Sequence, residues 1–330
     1  MLARALRWSG GLAILERLAR RPGLLVLGYH RVASKAENPG FDGVISADAA
    51  EFRRQVAYLR DRFRILRLEE WLDDGERSIA REPCVLITYD DGYRDNFEVA
   101  LPILEELRVP AAFFLPTDFL DRPQLFWWDR LAAIVKRTEV GRLRLDGLDL
   151  DLTTLSRDAA IAALVDPFLA MHPDDRPRAL DQLQDRAEVE LDEPELARTL
   201  MMDWGMARGL LKAGMAVGSH ARSHRELALL DESHQHDELA GSKQRLEEQL
   251  RHAVVTLAYP YGVARAVSET TRRLAREVGY QAAFAFAGGI NRPGPRDPMA
   301  LARINIGATD AGDLFRARMV LTSSFGRSLV

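Results

Sequence analysis

What most constrains the fold of this 330-residue chain is a rhythm: short apolar, β-rich runs alternate with stretches patterned as amphipathic helices. The runs fall at 24–29, 84–89, 111–115, 215–219, 254–259, 282–286 and 301–306. Near-continuous apolar runs of this length suit strands buried on both faces. Helix-like patterns lie between them, for example at 49–63 (AAEFRRQVAYLRDRF), 97–107, 237–250 and 268–278. Ser46 stands before the first as a cap, and Gly279 after the last as a stop. Such alternation argues for a parallel sheet wound by helices. Seven strands suit a closed or distorted barrel, an open doubly wound sheet being the alternative. The stretch 121–203 breaks the rhythm: Trp127-Trp128-Asp129 opens a helix-like segment, Arg142-Leu143-Arg144-Leu145 alternates, and the rest is rich in Asp, Glu, Arg and Leu. The expectation is a barrel over 22–330 interrupted by a mainly helical insertion at 121–203. Its charged residues face solvent or, in the sharper reading, form a lid over a substrate.

Composition narrows the partners. With 47% hydrophobic and 28% charged residues and a formal charge of −4, the chain reads as soluble and globular, with no basic surplus for nucleic acid. The lone Cys84 cannot form an intrachain disulfide, and its place in the run Cys84-Val85-Leu86-Ile87 marks it as a small buried hydrophobe. No run approaches the ~20 apolar residues that span a bilayer. Residues 1–21 carry five arginines but are interrupted by Glu16 and Arg17 and lack a small-residue cleavage site, so a secretory signal is not expected. They read as an amphipathic helix with Leu2, Leu6, Leu15 and Leu18 on the apolar side. Such a helix packs on the protein body or rests peripherally on an anionic membrane surface. The expected location is cytoplasmic, including the inner membrane face.

Three polar motifs directly follow strand-like runs: Thr88-Tyr89-Asp90-Asp91-Gly92, Ser219-His220-Ala221-Arg222-Ser223-His224 and Ala258-Tyr259-Pro260-Tyr261-Gly262. In an α/β barrel, strand C-termini converge on the active site. One carboxylate with two imidazoles is a three-ligand set for a zinc-type ion that keeps a position open for water. The second carboxylate is then available as a base. The four-residue spacing of the histidines puts both rings on one side of a helical turn, as a shared ion requires. Each motif has a plainer reading: an Asp-Asp-Gly turn with a helix cap, a chance pair of histidines, a rigid Pro-aromatic turn. Their conjunction favours chemistry. His234 and His236 sit in a charged helix start and read as exposed surface.

With these residues in place, the chain resembles the polysaccharide deacetylase family, the group with the nodulation-protein-B homology domain. Thr88–Gly92 matches its first motif with Tyr89 for Phe. The segment 219–224 matches its second, His-Ser/Thr-x-x-His, with Ala221 in the Ser/Thr position, and 259–262 resembles a variant of its third. The resemblance runs from Tyr29-His30-Arg31-Val32 to Arg303, the insertion apart. It implies a distorted (β/α)7-type barrel and removal of N-acetyl groups from amino sugars of a cell-surface polysaccharide or its precursor. It further implies Asp91, His220 and His224 as metal ligands, Asp90 as general base, and the backbone at Tyr261 as an oxyanion donor. The ion implied is one divalent metal, zinc first, with cobalt, nickel, manganese and iron also suited to this ligand set.

Two departures stand out. The arginine that orients the base in the family's third motif is missing, since Leu257 and Ala258 precede Tyr259; Arg303, on the last strand-like run, is the candidate replacement. The family's late Leu-x-His motif, source of the catalytic acid, is also missing, because no histidine follows His252. His30, at the end of the first run, is the best substitute, the alternative being Asp90 itself after it has taken a proton. Trp127, Trp128 and Asp129 either wall a sugar site or pack the insertion against the barrel. Other readings are a deacylase or deformylase of a lipid-linked sugar, a non-catalytic carbohydrate-binding protein, and a metal-free amidohydrolase.

Overall fold

The computed structural model describes residues 21–325 except residue 146. The helix expected over 1–21 lies, but for Arg21, outside the described residues. The chain forms two compact units. One comprises the residues up to Ser34, Val44–Asp121 and those from Met202 on; the other comprises Lys35–Gly43 and Arg122–Met201.

The first unit is built on parallel strands: β1 (Gly23–Tyr29), β2 (Pro83–Tyr89), β3 (Ala112–Leu115), β4 (Ala216–Ser219), β5 (Thr256–Ala258), β6 (Ala282–Ala285), β7 (Leu301–Ala302) and β8 (Ile304–Asn305). They neighbour one another in the order β7-β6-β5-β4-β3-β2-β1-β8. The two ends of this path, β7 and β8, are halves of one segment interrupted only at Arg303. The sheet therefore meets itself and nearly closes as an α/β barrel, so the distorted barrel is the observed architecture and the open sheet is not. At the seam Asn291 fills the missing pairing. Its backbone exchanges two hydrogen bonds of 2.9 Å with Leu24. Its side chain accepts from the Ala302 N–H and donates to the Ala302 carbonyl, each at 2.9 Å.

Strand parity separates two cores, because successive side chains point to opposite faces. Leu24, Val26, Cys84, Leu86, Ala112, Phe114, Ala216, Ala258, Ala282, Phe284 and Leu301 form the inner cluster. Their neighbours Leu25, Leu27, Tyr29, Val85, Ile87, Tyr89, Phe113, Val217 and Leu257 face the surrounding helices, for instance Phe52, Val56 and Leu59 of the helix Ala49–Arg62. Leu68 and Ile79 of the helix Leu68–Arg81 join the inner cluster, so this helix plugs one end of the barrel. Burying each Leu, Ile or Phe stabilises the fold by about 1.5–3 kcal/mol. The lumen is crowded enough to require glycine at inward positions: a Cβ on Gly218 would lie 2.4 Å from the Phe114 ring. Cys84 is buried, and burial is the main cause that pushes its thiol up to about 11, as expected of an inert side chain.

At the helix termini neighbouring polar groups compete for the same cap. Ser46 does not cap the helix Ala49–Arg62; Asp48 does, accepting from the Glu51 N–H at 2.7 Å. The Ser46 hydroxyl instead accepts from the His30 N–H at 2.9 Å. The helix expected at 237–250 begins earlier, as Glu232–Leu250 capped by Asp231, which leaves His234 and His236 exposed on its first turns. Glu269–Val278 starts in a Ser268–Thr271 capping box and stops at Gly279, whose φ of 94° needs a residue without Cβ.

The second unit contains the helices Trp127–Arg137, Arg157–Ala170, Arg176–Arg186 and Glu193–Leu200 and the hairpin Arg142–Leu145/Leu148–Asp151. They enclose a separate core that includes Leu131, Ile134, Leu164 and Leu183. Lys35–Gly43 belongs to this unit although the sequence carries no sign of it. The Lys136 ammonium donates to the carbonyls of Asn38 and Gly40, and Asp129 accepts from the Phe41 N–H. Trp127 stacks on Phe168, and Trp128 on Phe126 with centroids 4.6 Å apart, so these contacts belong to the unit's own interior.

Candidate active site

The inward parity of the strands carries directly into the site. Leu24 and Val26 are followed on the same face by Gly28 and His30, Cys84 and Leu86 by Thr88 and Asp90, Ala216 by Gly218 and His220, and Leu301 by Arg303. Each chain leaves its strand at the same end, and four chemically active side chains meet there.

Asp90 continues β2 with its N–H donating to the Tyr29 carbonyl at 2.9 Å. Asp91 then adopts a φ of 74°, which turns a second carboxylate toward the same point. His220 extends β4, its N–H donating to the Leu115 carbonyl at 3.0 Å. Its Nδ1 lies 2.7 Å from the Ala258 carbonyl, so Nδ1 carries the proton and Nε2 presents a lone pair. His224 does not reach the site on a helical turn, contrary to the expectation from the four-residue spacing. Residues 220–224 form an irregular loop in which Ala221 has φ 59° and His224 φ 57°. Among the described residues seven non-glycines have positive φ, and four of them, Asp91, Ala221, His224 and Tyr261, lie in the three motifs. Backbone strain gathered in this way is characteristic of functional sites.

Asp91 Oδ1 stands 3.3 Å from His220 Nε2 and 3.2 Å from His224 Nε2. All three residues are buried, and their donor atoms lie within 4.8 Å of one another. Asp91 Oδ1 is buried without a hydrogen bond, an arrangement that calls for another partner. Neighbouring ligands of a tetrahedral ion with bonds of about 2.0 Å stand about 3.3 Å apart, which is the spacing found from Asp91 to each histidine. The donor set fits a divalent cation. Burial pushes the Asp91 carboxyl up, but the contacts with His220 and His224 reverse this and hold it far below the usual range, so it is ionised. Burial also lowers His224 and keeps it neutral. In His220 the lowering by burial is outweighed by Asp90 and Asp91, which bring the imidazole above its ordinary value.

Arg303, the candidate for the missing arginine, enters from between β7 and β8. It is fully buried, and its Nη1 and Nη2 each donate to one oxygen of Asp90 at 2.7 Å. Nη1 also donates to Thr88 Oγ1 at 3.2 Å. The guanidinium rests on the Phe286 ring, 4.2 Å from its centroid. For Asp90, burial raises the carboxyl, yet Arg303 and then His220 bring it below its ordinary value, so it is ionised and able to accept a proton. The nearest Asp90 oxygen is 4.0 Å from His220 Nε2, against 3.3 Å for Asp91.

His30 and Tyr261 flank this centre. The His30 ring is half-buried and stacks on Phe286 with centroids 5.8 Å apart. Its backbone is held by Ser46 and by the Asn96 amide, which donates to the His30 carbonyl at 2.6 Å. Tyr261, with φ 60°, places its ring 5.0 Å from that of His224. Tyr259 is fully buried and donates to the Met299 carbonyl at 3.0 Å, so it supports the turn and does not wall a pocket. The remaining histidines, His172, His234, His236 and His252, are exposed. Phe286, which touches both His30 and Arg303, escaped the sequence reading: an aromatic one residue past β6 carries no signal of its own. Its parity with Ala282 and Phe284 of the inner cluster was the available clue.

The model of the polysaccharide deacetylase family matches residues 77–163 and 172–283, more than half of the chain. Among curated proteins no match is found. The fold is similar to that of the Streptococcus pyogenes deacetylase PplD in complex with acetate, with 17% identity, a TM-score of 0.58, and 92% of this chain and 98% of that one covered. It is similar to IcaB from Ammonifex degensii at 20% identity and a TM-score of 0.57, with 92% and 97% covered. A de-N-acetylase from Aggregatibacter actinomycetemcomitans aligns at 15% identity and a TM-score of 0.56, covering 90% and 99%.

Proposed function

The chain belongs to the polysaccharide deacetylase family, hydrolases of carbon–nitrogen amide bonds, and from that premise we propose that it removes N-acetyl groups from amino sugars of a cell-surface polysaccharide or its precursor. The observation that carries this reading is the pairing of functions at one point. A buried carboxylate, Asp90, is held by the two-pronged contact of Arg303 beside the separate Asp91–His220–His224 donor set.

A divalent ion held by Asp91, His220 and His224, zinc first among those suited, would supply Lewis acidity to a water molecule and to the acetamide carbonyl. Asp90 accepts the proton of the attacking water, and Arg303 fixes the direction of its lone pairs. The Tyr261 N–H donates to the oxygen of the carbonyl as it gains charge. Collapse breaks the C–N bond and requires a proton on the leaving nitrogen. His30, on the rim, delivers that proton or Asp90 returns the one it took. Water and amide become acetate and free amine.

Protein loaded with zinc or cobalt is expected to release acetate from N-acetylglucosamine oligomers, read by an enzymatic acetate assay. No acetate from any N-acetylhexosamine oligomer or lipid-linked sugar tried would sink the proposal.

One observation supports a second substrate form. Of the three exposed large hydrophobic side chains among the described residues, Leu229 and Val263 lie shortly after His224 and Gly262. Exposed apolar side chains on the segments that follow the second and third motifs suit a sugar carried on a lipid. In that reading residues 1–21, with Arg4, Arg7, Arg17, Arg20 and Arg21, seat the protein on anionic headgroups at the cytoplasmic membrane face. Deleting 1–21 should then abolish co-sedimentation with phosphatidylglycerol vesicles; undiminished binding would argue against it.

A further inference from the structure

The loop that carries His220 and His224 must bring two Nε2 atoms to one point while Ala221 and His224 occupy left-handed backbone conformations. Ala221 stands where similar sequences carry a hydroxyl, so the loop has no side chain of its own at that position to hold its shape. Three consecutive amides, those of 221, 222 and 223, are nevertheless bonded to side-chain oxygens. The Ala221 N–H donates to Ser219 Oγ at 3.2 Å, and that hydroxyl lies 2.8 Å from Ser242 Oγ. The Arg222 and Ser223 N–H groups both donate to Glu238 Oε2 at 2.9 Å, and the Ser223 hydroxyl donates to Glu238 Oε1. On the other side the carbonyls of Ala221 and Arg222 accept from the N–H groups of Thr117 and Asp118.

Glu238 and Ser242 are four residues apart on the helix Glu232–Leu250 and therefore share one face. That face clamps the loop. Successive amides turned toward one anion form a nest, and charge-assisted bonds of this kind are stronger than neutral ones. We infer that Glu238 is the positioning residue of this centre: its carboxylate fixes the 220–224 loop so that His224 Nε2 faces Asp91 and His220. The inference rests on the reading of Asp91, His220 and His224 as metal ligands. Glu238 touches neither substrate nor reacting atoms, and it acts through the two amides.

The test measures zinc affinity by chelator competition in the full chain, comparing the unsubstituted protein with E238A and E238Q. Visible absorption of the cobalt-loaded forms serves as a second reading of ligand geometry. Loss of an outer partner of this sort typically costs about 10–100-fold in metal affinity, and E238A is expected to fall in that range with an altered cobalt spectrum. E238Q retains a carbonyl for both amides and an NH₂ for the Ser223 hydroxyl but gives up the charge, so it should lose clearly less affinity than E238A. Faster deuterium exchange at amides 222 and 223 in metal-free E238A would support the same role without any metal present. Zinc held equally tightly by E238A, or lost as fully in E238Q as in E238A, overturns the inference. If the unsubstituted protein itself binds no zinc, the ligand reading fails and takes this one with it, a result distinct from equal binding by all three forms.

Discussion

Replacing Asp90 with asparagine should lower kcat by about 10²–10⁴-fold, the usual worth of a positioned general base, while zinc binding persists. The two halves of this expectation separate the adjacent carboxylates. Asp91 Oδ1 lies 3.2–3.3 Å from both histidine Nε2 atoms, whereas Asp90 spends both of its oxygens on Arg303. D90N keeps shape and volume but cannot take a proton from water. D91N removes the one anionic ligand and should lose metal and turnover together. A fully active D90N would transfer the base to another group and leave the Arg303 pair without a catalytic purpose.

Arg303 offers the second large effect, and it is one of stability as well as rate. The guanidinium and the Asp90 carboxylate are both buried, at 0% and 1% exposure. Removing one member of such a pair strands the other charge in a medium that solvates it poorly, at a cost of about 3–5 kcal/mol. R303M should therefore lose stability of that order in urea titrations and lose turnover with it. R303K keeps the charge but not the planar fork that meets both Asp90 oxygens, so it should restore little activity. The double variant D90N/R303M removes both charges and should recover much of the stability while remaining inactive. If R303M were as stable as the unsubstituted protein, Asp90 would not be a buried carboxylate that depends on the Arg303 charge.

These two residues also show what the sequence made legible. The seven staves could be read from runs of apolar residues, because strands buried on both faces leave a continuous signal whose ends coincide with the polar motifs. Asp90, Asp91, His220 and His224 were legible for the same reason: each lies within five residues of the end of such a run. Arg303 was nameable as a candidate but not placeable, because its partner is 213 positions away and only closure of the sheet joins them. Local signals misled where two elements competed for one group. Ser46 has the character of a cap, yet Asp48 takes that role and Ser46 holds the backbone of His30. The i, i+4 spacing of the histidines suggested a helical turn, whereas bonds from Glu238, Thr117 and Asp118 impose an irregular loop that reaches the same convergence. Lys35–Gly43 joins the second unit through Lys136 and Asp129, contacts of nearly 100 residues' separation that no local pattern announces.

The most direct test of the central claim is acetate release followed as zinc or cobalt is added stepwise to metal-stripped protein, beside an H220A/H224A variant. Activity should rise linearly and stop at about one ion per chain, as a single three-ligand site requires, and the variant should stay silent at every addition. Full activity in the stripped protein, or equal activity in the variant, would contradict the assignment of Asp91, His220 and His224 as the centre of the reaction.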